Sequence, residues 1–193
     1  MTDSYHHGNL KQELIDTAIR IFNTEGATGL SLRKVAAACG VSHAAPYAHF
    51  KDKEELLAAM KESVTADFKK ELNAAIEKAP ANDVGQQIVN MGIAYVRFFI
   101  HHPDYFTFLF YGQKITAHLG AHDDYSNDYP PYKLFRDLIE QYIHENIPKT
   151  TDYEKELQII KAWSVVQGIS SIVCMENVST SAPWESYLKD LIM

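Results

Sequence analysis

Residues 42–50 combine a hydroxyl, two imidazoles and a phenol with small alanines, and lysines follow at positions 51 and 53. Groups of these kinds bind phosphate oxygens and the edges of bases, and an alanine methyl group can touch the methyl group of thymine. The chemistry that these residue types and their spacing favour is recognition of double-stranded DNA.

Two short helices joined by a tight turn are the elements that would position this run. Leu32 and Val35 lie at helical spacing, and Gly40 suits the left-handed backbone of a helix end. Ser42 is then placed to cap a second helix. If Ser42 is the cap, Pro46 forfeits one hydrogen bond of the first turn, whereas a start one or two residues later costs almost nothing. The pattern predicts a helix-turn-helix whose second helix can enter the major groove.

Polar groups beside the predicted turn can hold the DNA backbone. Ser31 and Ser42 are candidate N-caps whose hydroxyls could alternatively meet phosphate, and Arg33 and Lys34 add positive charge. The residues that can face base edges are His43, Ala44, Ala45 and Ala48. None of them offers the two-pronged contact of arginine with guanine, so we expect DNA shape and phosphate geometry to carry much of the specificity.

Across residues 9 to 57 the chain resembles the N-terminal domain of TetR/AcrR-type transcriptional regulators, down to Tyr47-x-His49-Phe50-x-x-Lys53-Glu54-Glu55-Leu56. In that family a tyrosine of the recognition helix and a lysine opening the fourth helix bind phosphates. The resemblance assigns these roles to Tyr47 and Lys53, with His49 in the same segment. The N-terminus of that fourth helix should also attract an anion through its free N–H groups.

The segment before the first helix, residues 5–10, is predicted to be an arm followed by Asn9 as an N-cap. His6 and His7 could reach the minor groove, and a solvated chain terminus is the alternative.

Charge is distributed unevenly along the 193 residues, whose formal net charge is -7. Residues 1–53 carry six Lys/Arg against five Asp/Glu, and residues 54–193 carry twelve against twenty. The excess of Asp and Glu therefore lies outside residues 1–53, the predicted DNA-binding head, and electrostatic repulsion should hold the acidic part of the protein away from DNA. Because the head is only weakly basic, we expect affinity to depend on a few positioned contacts and to fall steeply with salt.

The remaining sequence indicates an all-α protein. Apolar residues recur every four positions before Pro80, at Leu56, Met60, Val64, Phe68, Leu72 and Ile76. Further helices are predicted at about 84–99, 104–111, 131–148 and 152–176, and a last one around Trp184 and Leu188. We predict a helix-turn-helix DNA-binding domain over 1–53 and a helical effector-binding and dimerisation bundle over 54–193. Two cysteines, no long apolar run and no signal peptide favour a cytoplasmic protein without membrane contact or cofactor.

The resemblance implies that this bundle encloses a cavity for a small effector, which the aromatic residues suggest is apolar or aromatic. Plain core packing is the alternative for each candidate. The candidate lining residues are Tyr95, Phe98, Phe99, Tyr105, Phe106, Phe110, Tyr111, Trp163 and Gln167. The element Trp163-x-x-x-Gln167-Gly168 is similar to the Trp-x-x-x-His-Gly of a TetR subgroup named for its WHG domain. Because Gln167 replaces the family histidine, a proton-linked or metal-linked role there is disfavoured.

The resemblance also implies a homodimer through the last two helices, where small residues near Gly168 let another helix approach. Two reading heads would then meet a pseudo-palindromic operator. We predict a ligand-responsive regulator, most simply a repressor that a small molecule releases from its operator. The alternative is a helical interaction or scaffold protein that has lost DNA binding.

A metal site and an enzymatic function are two further hypotheses, and the sequence favours neither. His118 and His122 stand four residues apart with Asp123 and Asp124 adjacent, which would suit zinc on a helix, but Gly120 interrupts the spacing and we predict no metal. No Gly-x-Ser-x-Gly turn or phosphate loop occurs, so we predict no catalytic residues and no enzyme.

Overall fold

The computed structural model describes residues 10–120 and 124–193, and within them all regular structure is helical. The α-helices are α1 (Leu10–Gly29), α2 (Leu32–Ala38), α3 (Lys53–Ile76), α4 (Val84–His101), α5 (Pro103–Gly112), α6 (Pro130–Asn146), α7 (Asp152–Val173) and α8 (Leu188–Ile192). Short 3-10 helices cover Ala45–Ala48 and Trp184–Ser186. The predicted all-α class, with an N-terminal helix-turn-helix and a helical bundle, is confirmed. Among the described helices, none is both long and apolar enough to cross a membrane.

The chain forms two compact units. The first contains the residues up to Val64 together with Thr107–Gln113, and the second contains Thr65–Phe106 and Lys114–Met193. Both α3 and α5 therefore contribute residues to each unit. The predicted boundary at residue 53 separates a DNA-binding function from effector binding and dimerisation, and this division of functions stays a prediction.

The first unit is built on α1, whose inner face is buried from Leu14 to Phe22. Phe108 of α5 is fully buried and meets the Phe22 ring edge to face, with centroids 5.3 Å apart. Gly112 lies so close to the same ring that an added Cβ would be 2.4 Å from it. The glycine at the end of α5 is thus required by close packing against α1.

The second unit is centred on α4, which packs against α6, α7 and α8. The predicted stripe of α3 is confirmed, since its members from Leu56 to Leu72 are buried. Phe68 is the aromatic centre of the unit: its ring stacks on Phe98 at 4.7 Å and meets Tyr95 and Phe99 edge to face at 4.9 Å. These rings form a packed core.

The turn that ends α2 is a left-handed glycine motif. Gly40 has a φ of 68°, and its N–H donates to the carbonyl of Ala37 at 3.2 Å. The N–H of Val41 donates to the carbonyl of Ala36 at 3.0 Å. This pair of hydrogen bonds is the Schellman arrangement, which satisfies carbonyls that a helix end would otherwise leave free.

Substitution of Gly40 by alanine is expected to lower the free energy of unfolding by about 1–2 kcal/mol, the cost of a left-handed residue that carries a Cβ. A Cβ at this position would meet no atom within 4 Å, so the effect is one of backbone alone. Urea unfolding of the full chain, followed by circular dichroism, measures it. Gly40→Asn should recover part of the loss because asparagine tolerates this conformation, and a Gly40→Ala protein as stable as wild type would contradict the assignment.

Candidate nucleic-acid interface

The N-terminus of α2 is fixed as the sequence predicts. The Ser31 hydroxyl accepts from the Lys34 backbone N–H at 3.2 Å, and Ser31 has an extended backbone. Arg33 is exposed. The Lys34 ammonium forms an ion pair with Glu25 of α1, so part of its charge is already balanced within the head.

The element after the turn is shorter than predicted. It is a single 3-10 turn, Ala45–Ala48, and its N-cap position is Ala44, with no side-chain hydrogen bond. The prediction that Ser42 caps this element is wrong, because the N-cap position falls at Ala44; Ser42 contributes only its backbone carbonyl, which accepts from the Ala45 N–H at 3.0 Å. Pro46 lies in the first turn, where its missing N–H costs little.

Two buried side chains anchor this turn and orient its outer face. Pro46 is buried, Phe50 is 1% exposed, and the Pro46 carbonyl accepts from the Phe50 N–H at 2.9 Å. Within residues 42–50, the predicted contact residues that are exposed are Ser42, His43, Ala44, Tyr47 and Ala48. Ala45 and His49 are half-buried. The structure therefore places most of the predicted DNA-contact residues of this run on one exposed segment, Ser42 to Ala48. Tyr47, which is 53% exposed, is the only long aromatic side chain of that segment.

The start of α3 differs from the predicted anion site. The Asp52 carboxylate accepts from the Glu55 N–H at 2.9 Å, and the Glu55 carboxylate accepts from the Lys51 N–H at 2.6 Å. Asp52 thus occupies one of the first-turn N–H groups that were expected to receive phosphate, and Glu55 occupies the N–H of Lys51 just before the helix. The Lys53 ammonium donates to the carbonyl of Ala27 in α1. The ammonium groups of Lys51 and Lys53 are the cations nearest to this helix start in the sequence, and phosphate binding here stays a prediction.

The predicted effector-lining residues are divided by the structure. Tyr95, Phe98, Phe99 and Phe106 are buried in the ring cluster of the second unit, and Tyr105 is half-buried. Phe110 and Tyr111, in contrast, belong to the first unit. Because Tyr111 is 74% exposed, it does not line an enclosed interior, contrary to the prediction.

A polar contact lies inside the aromatic core. The Tyr95 hydroxyl donates to the Gln167 side-chain carbonyl at 2.7 Å, and Trp163 of the same helix contacts the Tyr132 ring at 4.7 Å. Burial raises the pKa of Tyr95 well above its ordinary value, so the phenol stays a donor. The buried hydroxyl of Ser170, one turn further along α7, has no hydrogen-bond partner among the described residues. Assignment to the subgroup with the WHG domain stays a prediction.

A buried ionic cluster that sequence reasoning missed holds the loop between α5 and α6. Arg136 is fully buried; its Nε donates to Glu140 at 2.8 Å and its Nη2 donates to the carbonyl of Gly120 at 2.8 Å. Its Nη1 donates to the carbonyl of His118, and the guanidinium lies 4.0 Å from the centroid of the Tyr125 ring. One signal in the sequence could have indicated its burial, because residue 136 falls within the apolar stripe of α6.

The residues that were considered and rejected as a metal site have other partners or lie outside the described residues. The His118 Nδ1 lies 2.6 Å from the buried Asp128 carboxylate, which also accepts the His118 backbone N–H at 3.1 Å. Asp124 accepts the Ser126 N–H. His122 and Asp123 lie outside the described residues, as does the predicted arm before Leu10. No group of three metal-binding side chains occurs in residues 10–120 and 124–193.

Comparisons with known proteins agree with the helix-turn-helix geometry. Residues 14–60 match the family model described as bacterial regulatory proteins, tetR family. Over 46 residues the chain is 44% identical to the HTH-type transcriptional regulator AcrR of Shigella flexneri, covering 24% of this chain and 21% of that protein. Over 71 residues it is 34% identical to the HTH-type transcriptional regulator BetI of Brucella suis biovar 1, covering 37% and 36%. The chain thus spans about a fifth and about a third of the lengths of these two regulators.

Solved structures extend the likeness of fold to the whole chain. A protein of unknown function from Rhodococcus sp. RHA1 superposes with a TM-score of 0.68 at 25% identity, over 98% of this chain and 94% of that chain. The fatty acid degradation regulator FadR from Bacillus halodurans superposes with a TM-score of 0.70 at 12% identity, over 94% and 95%. At these identities the likeness is one of architecture.

Proposed function

We infer that this chain, which belongs to the TetR family of bacterial regulatory proteins, is a sequence-specific DNA-binding transcriptional regulator of the cytoplasm. The observation that carries this proposal is the exposed segment from Ser42 to Ala48, held on the buried pair Pro46 and Phe50 and followed by Lys51 and Lys53. Such a surface presents donors to DNA, with cations at its edge.

Reading of DNA by this surface depends on shape more than on base edges. A single 3-10 turn with His43 as its imidazole donor and with alanines beside it can form few hydrogen bonds in the major groove. Phosphate contacts from Tyr47 and Lys53, and the deformability of the sequence between them, supply the rest.

Dimerisation would use α7. Val165, Gly168 and Ile172 lie on one exposed face of this helix, with Val165 45% and Ile172 42% exposed. An added Cβ at Gly168 would meet nothing within 4 Å, so the face is open to a second copy. From the last helix Leu191 adds exposed apolar surface, whereas Leu188 is buried within its own protomer.

Release from DNA would follow binding of a small apolar or aromatic effector beside the aromatic core. The hydrogen bond between Tyr95 and Gln167 would anchor a polar group of that effector, and Trp163 would pack against it. Because the rings around Phe68 are already packed, binding must rearrange them. A population shift of this kind supplies a coupling of about 1–3 kcal/mol between effector and operator.

Selection of bound duplexes from a random DNA pool, repeated across a salt series, tests the proposal. We expect a pseudo-palindromic consensus for the wild-type protein and an altered base preference for His43→Ala. His144→Ala, which removes an exposed histidine of α6, is the matched control and should leave the consensus unchanged. Absence of enrichment at low salt would instead support the helical interaction protein.

A further inference from the structure

A cleft of about 430 Å³ opens between the C-terminal half of α3, with the turn after it, and the C-terminal half of α4. Lys70 and Lys78 contribute positive charge from one wall, and Arg97 contributes it from the other. Asp67 and Glu71, one helical turn apart, add two carboxylates on the α3 wall. All five lie in the second unit.

No ion pair joins any two of the five charged side chains of the cleft. In the described part of the chain none of them forms an ion pair or a side-chain hydrogen bond. Elsewhere in the same unit, Lys133 pairs with Asp137 at 2.7 Å and Lys155 pairs with Asp152 at 3.2 Å, each within its own helix. Unpaired cations that line a concave surface concentrate positive potential there, and the three cations of this cleft outnumber its two carboxylates.

The base of the cleft is apolar and fixed. Ala75, Ala94 and Phe98 line it, and Phe98 is 5% exposed because its ring stacks on Phe68. The amide of Asn90 donates to the carbonyl of Ala75 at 3.3 Å, which ties α4 to the end of α3. The walls are therefore positioned by the aromatic core and by this hydrogen bond before any ligand arrives.

Two histidines at the rim already have neighbours. His101 lies 3.6 Å from the Glu185 carboxylate, and the His102 ring stacks on Tyr105 at 4.9 Å. The groups that remain for a ligand are consequently the lysines, Arg97 and the two carboxylates of α3.

We propose that this cleft binds a small organic anion that also carries hydroxyl groups. Arg97 would hold its carboxylate or phosphate in the two-pronged geometry that guanidinium favours, with Lys70 opposite. Hydroxyl groups of the ligand would donate to Asp67 and Glu71. The site is separate from the contact between Tyr95 and Gln167, and its binding of an anion is independent of DNA binding.

Calorimetric titration of the full-length protein at constant ionic strength tests the chemical class, with glucose 6-phosphate, gluconate, inorganic phosphate and glucose as probes. We expect one glucose 6-phosphate or gluconate per chain, inorganic phosphate at least tenfold weaker, and no binding of glucose. The tighter of the two organic anions identifies the preferred anionic group. Failure of both at millimolar concentration, or equal binding of glucose, would overturn the proposal.

Variants locate the site. Arg97→Gln and Lys70→Gln should each weaken binding of the tighter organic anion at least tenfold. Lys69→Gln removes the same charge from the neighbouring position of α3, which is exposed and does not line the cleft, so its affinity should stay within twofold of wild type. All three side chains are exposed, and the unfolding curves should be alike. An equal loss in Lys69→Gln and Lys70→Gln would show only diffuse attraction and would refute the site.

Discussion

Tyr47→Phe is expected to weaken binding to every DNA sequence alike, by roughly a hundredfold for a dimer. The change would remove the proposed hydrogen bond to a phosphate in each protomer, worth about 1.5 kcal/mol, and two such losses multiply in affinity. Because no charge is removed, the dependence of affinity on salt should not change. Fluorescence anisotropy with the selected operator and with unrelated duplexes, over a salt series, measures both quantities.

Lys53→Ala should weaken binding in the same uniform way, but it should also lower the slope of log affinity against log salt by about 2 for a dimer. Lys53 also donates to Ala27, so its variant must be checked by thermal unfolding. Tyr47 has no side-chain partner among the described residues, and its variant should fold as wild type does. Tyr153→Phe, at a tyrosine 74% exposed on α7, is the matched control. A changed consensus in Tyr47→Phe would mean that Tyr47 reads bases, contrary to its assignment.

Arg136→Met should lower the free energy of unfolding of the second unit by about 3–5 kcal/mol, the usual cost of breaking a buried ionic contact from one side. Methionine fills much of the space but donates nothing. The carbonyls of His118 and Gly120 would each lose a guanidinium donor, although the Tyr132 hydroxyl still donates to His118. Glu140 would lose its ion-pair partner. Urea unfolding followed by tryptophan fluorescence measures the loss, because the two tryptophans, Trp163 and Trp184, both lie in this unit.

The control for this prediction is Lys133→Met, one turn earlier on α6. Lys133 is partly exposed and pairs with Asp137, so its removal should cost no more than about 1 kcal/mol. Limited proteolysis offers a second readout, since loss of Arg136 should expose the loop before α6 to cleavage. If Arg136→Met unfolded at the same urea concentration as Lys133→Met, the cluster would not hold the loop.

Local patterns predicted most of the helices. The four-residue repeat of apolar side chains in α3 indicated one buried face, and the structure buries it from Leu56 to Leu72. Ser31 and Gly40 indicated the two ends of α2, the first helix of the helix-turn-helix, and both have the predicted geometry. These predictions succeeded because helical periodicity and end motifs involve residues only a few positions apart.

The predictions that the structure corrected or narrowed depended on competition between groups. Ser42 could have capped the recognition element, but burial of Pro46 and Phe50 moved its start to Ala45. The free N–H groups at the start of α3 were expected to receive phosphate, but the Asp52 carboxylate accepts one of them. Sequence spacing allowed both outcomes in each case, and only the packing of neighbouring residues chose between them.

By itself, the sequence determined the all-α class and the helix-turn-helix, because periodicity and capping are local properties, and it supplied the residues that we propose to meet DNA. Tertiary structure alone decided that Tyr111 faces outward while Phe99 is buried, and that Arg136 lies in the core. It also placed Arg97 across a cleft from Lys70. Such placements depend on contacts between residues tens of positions apart, whose burial and charge balance no local pattern records.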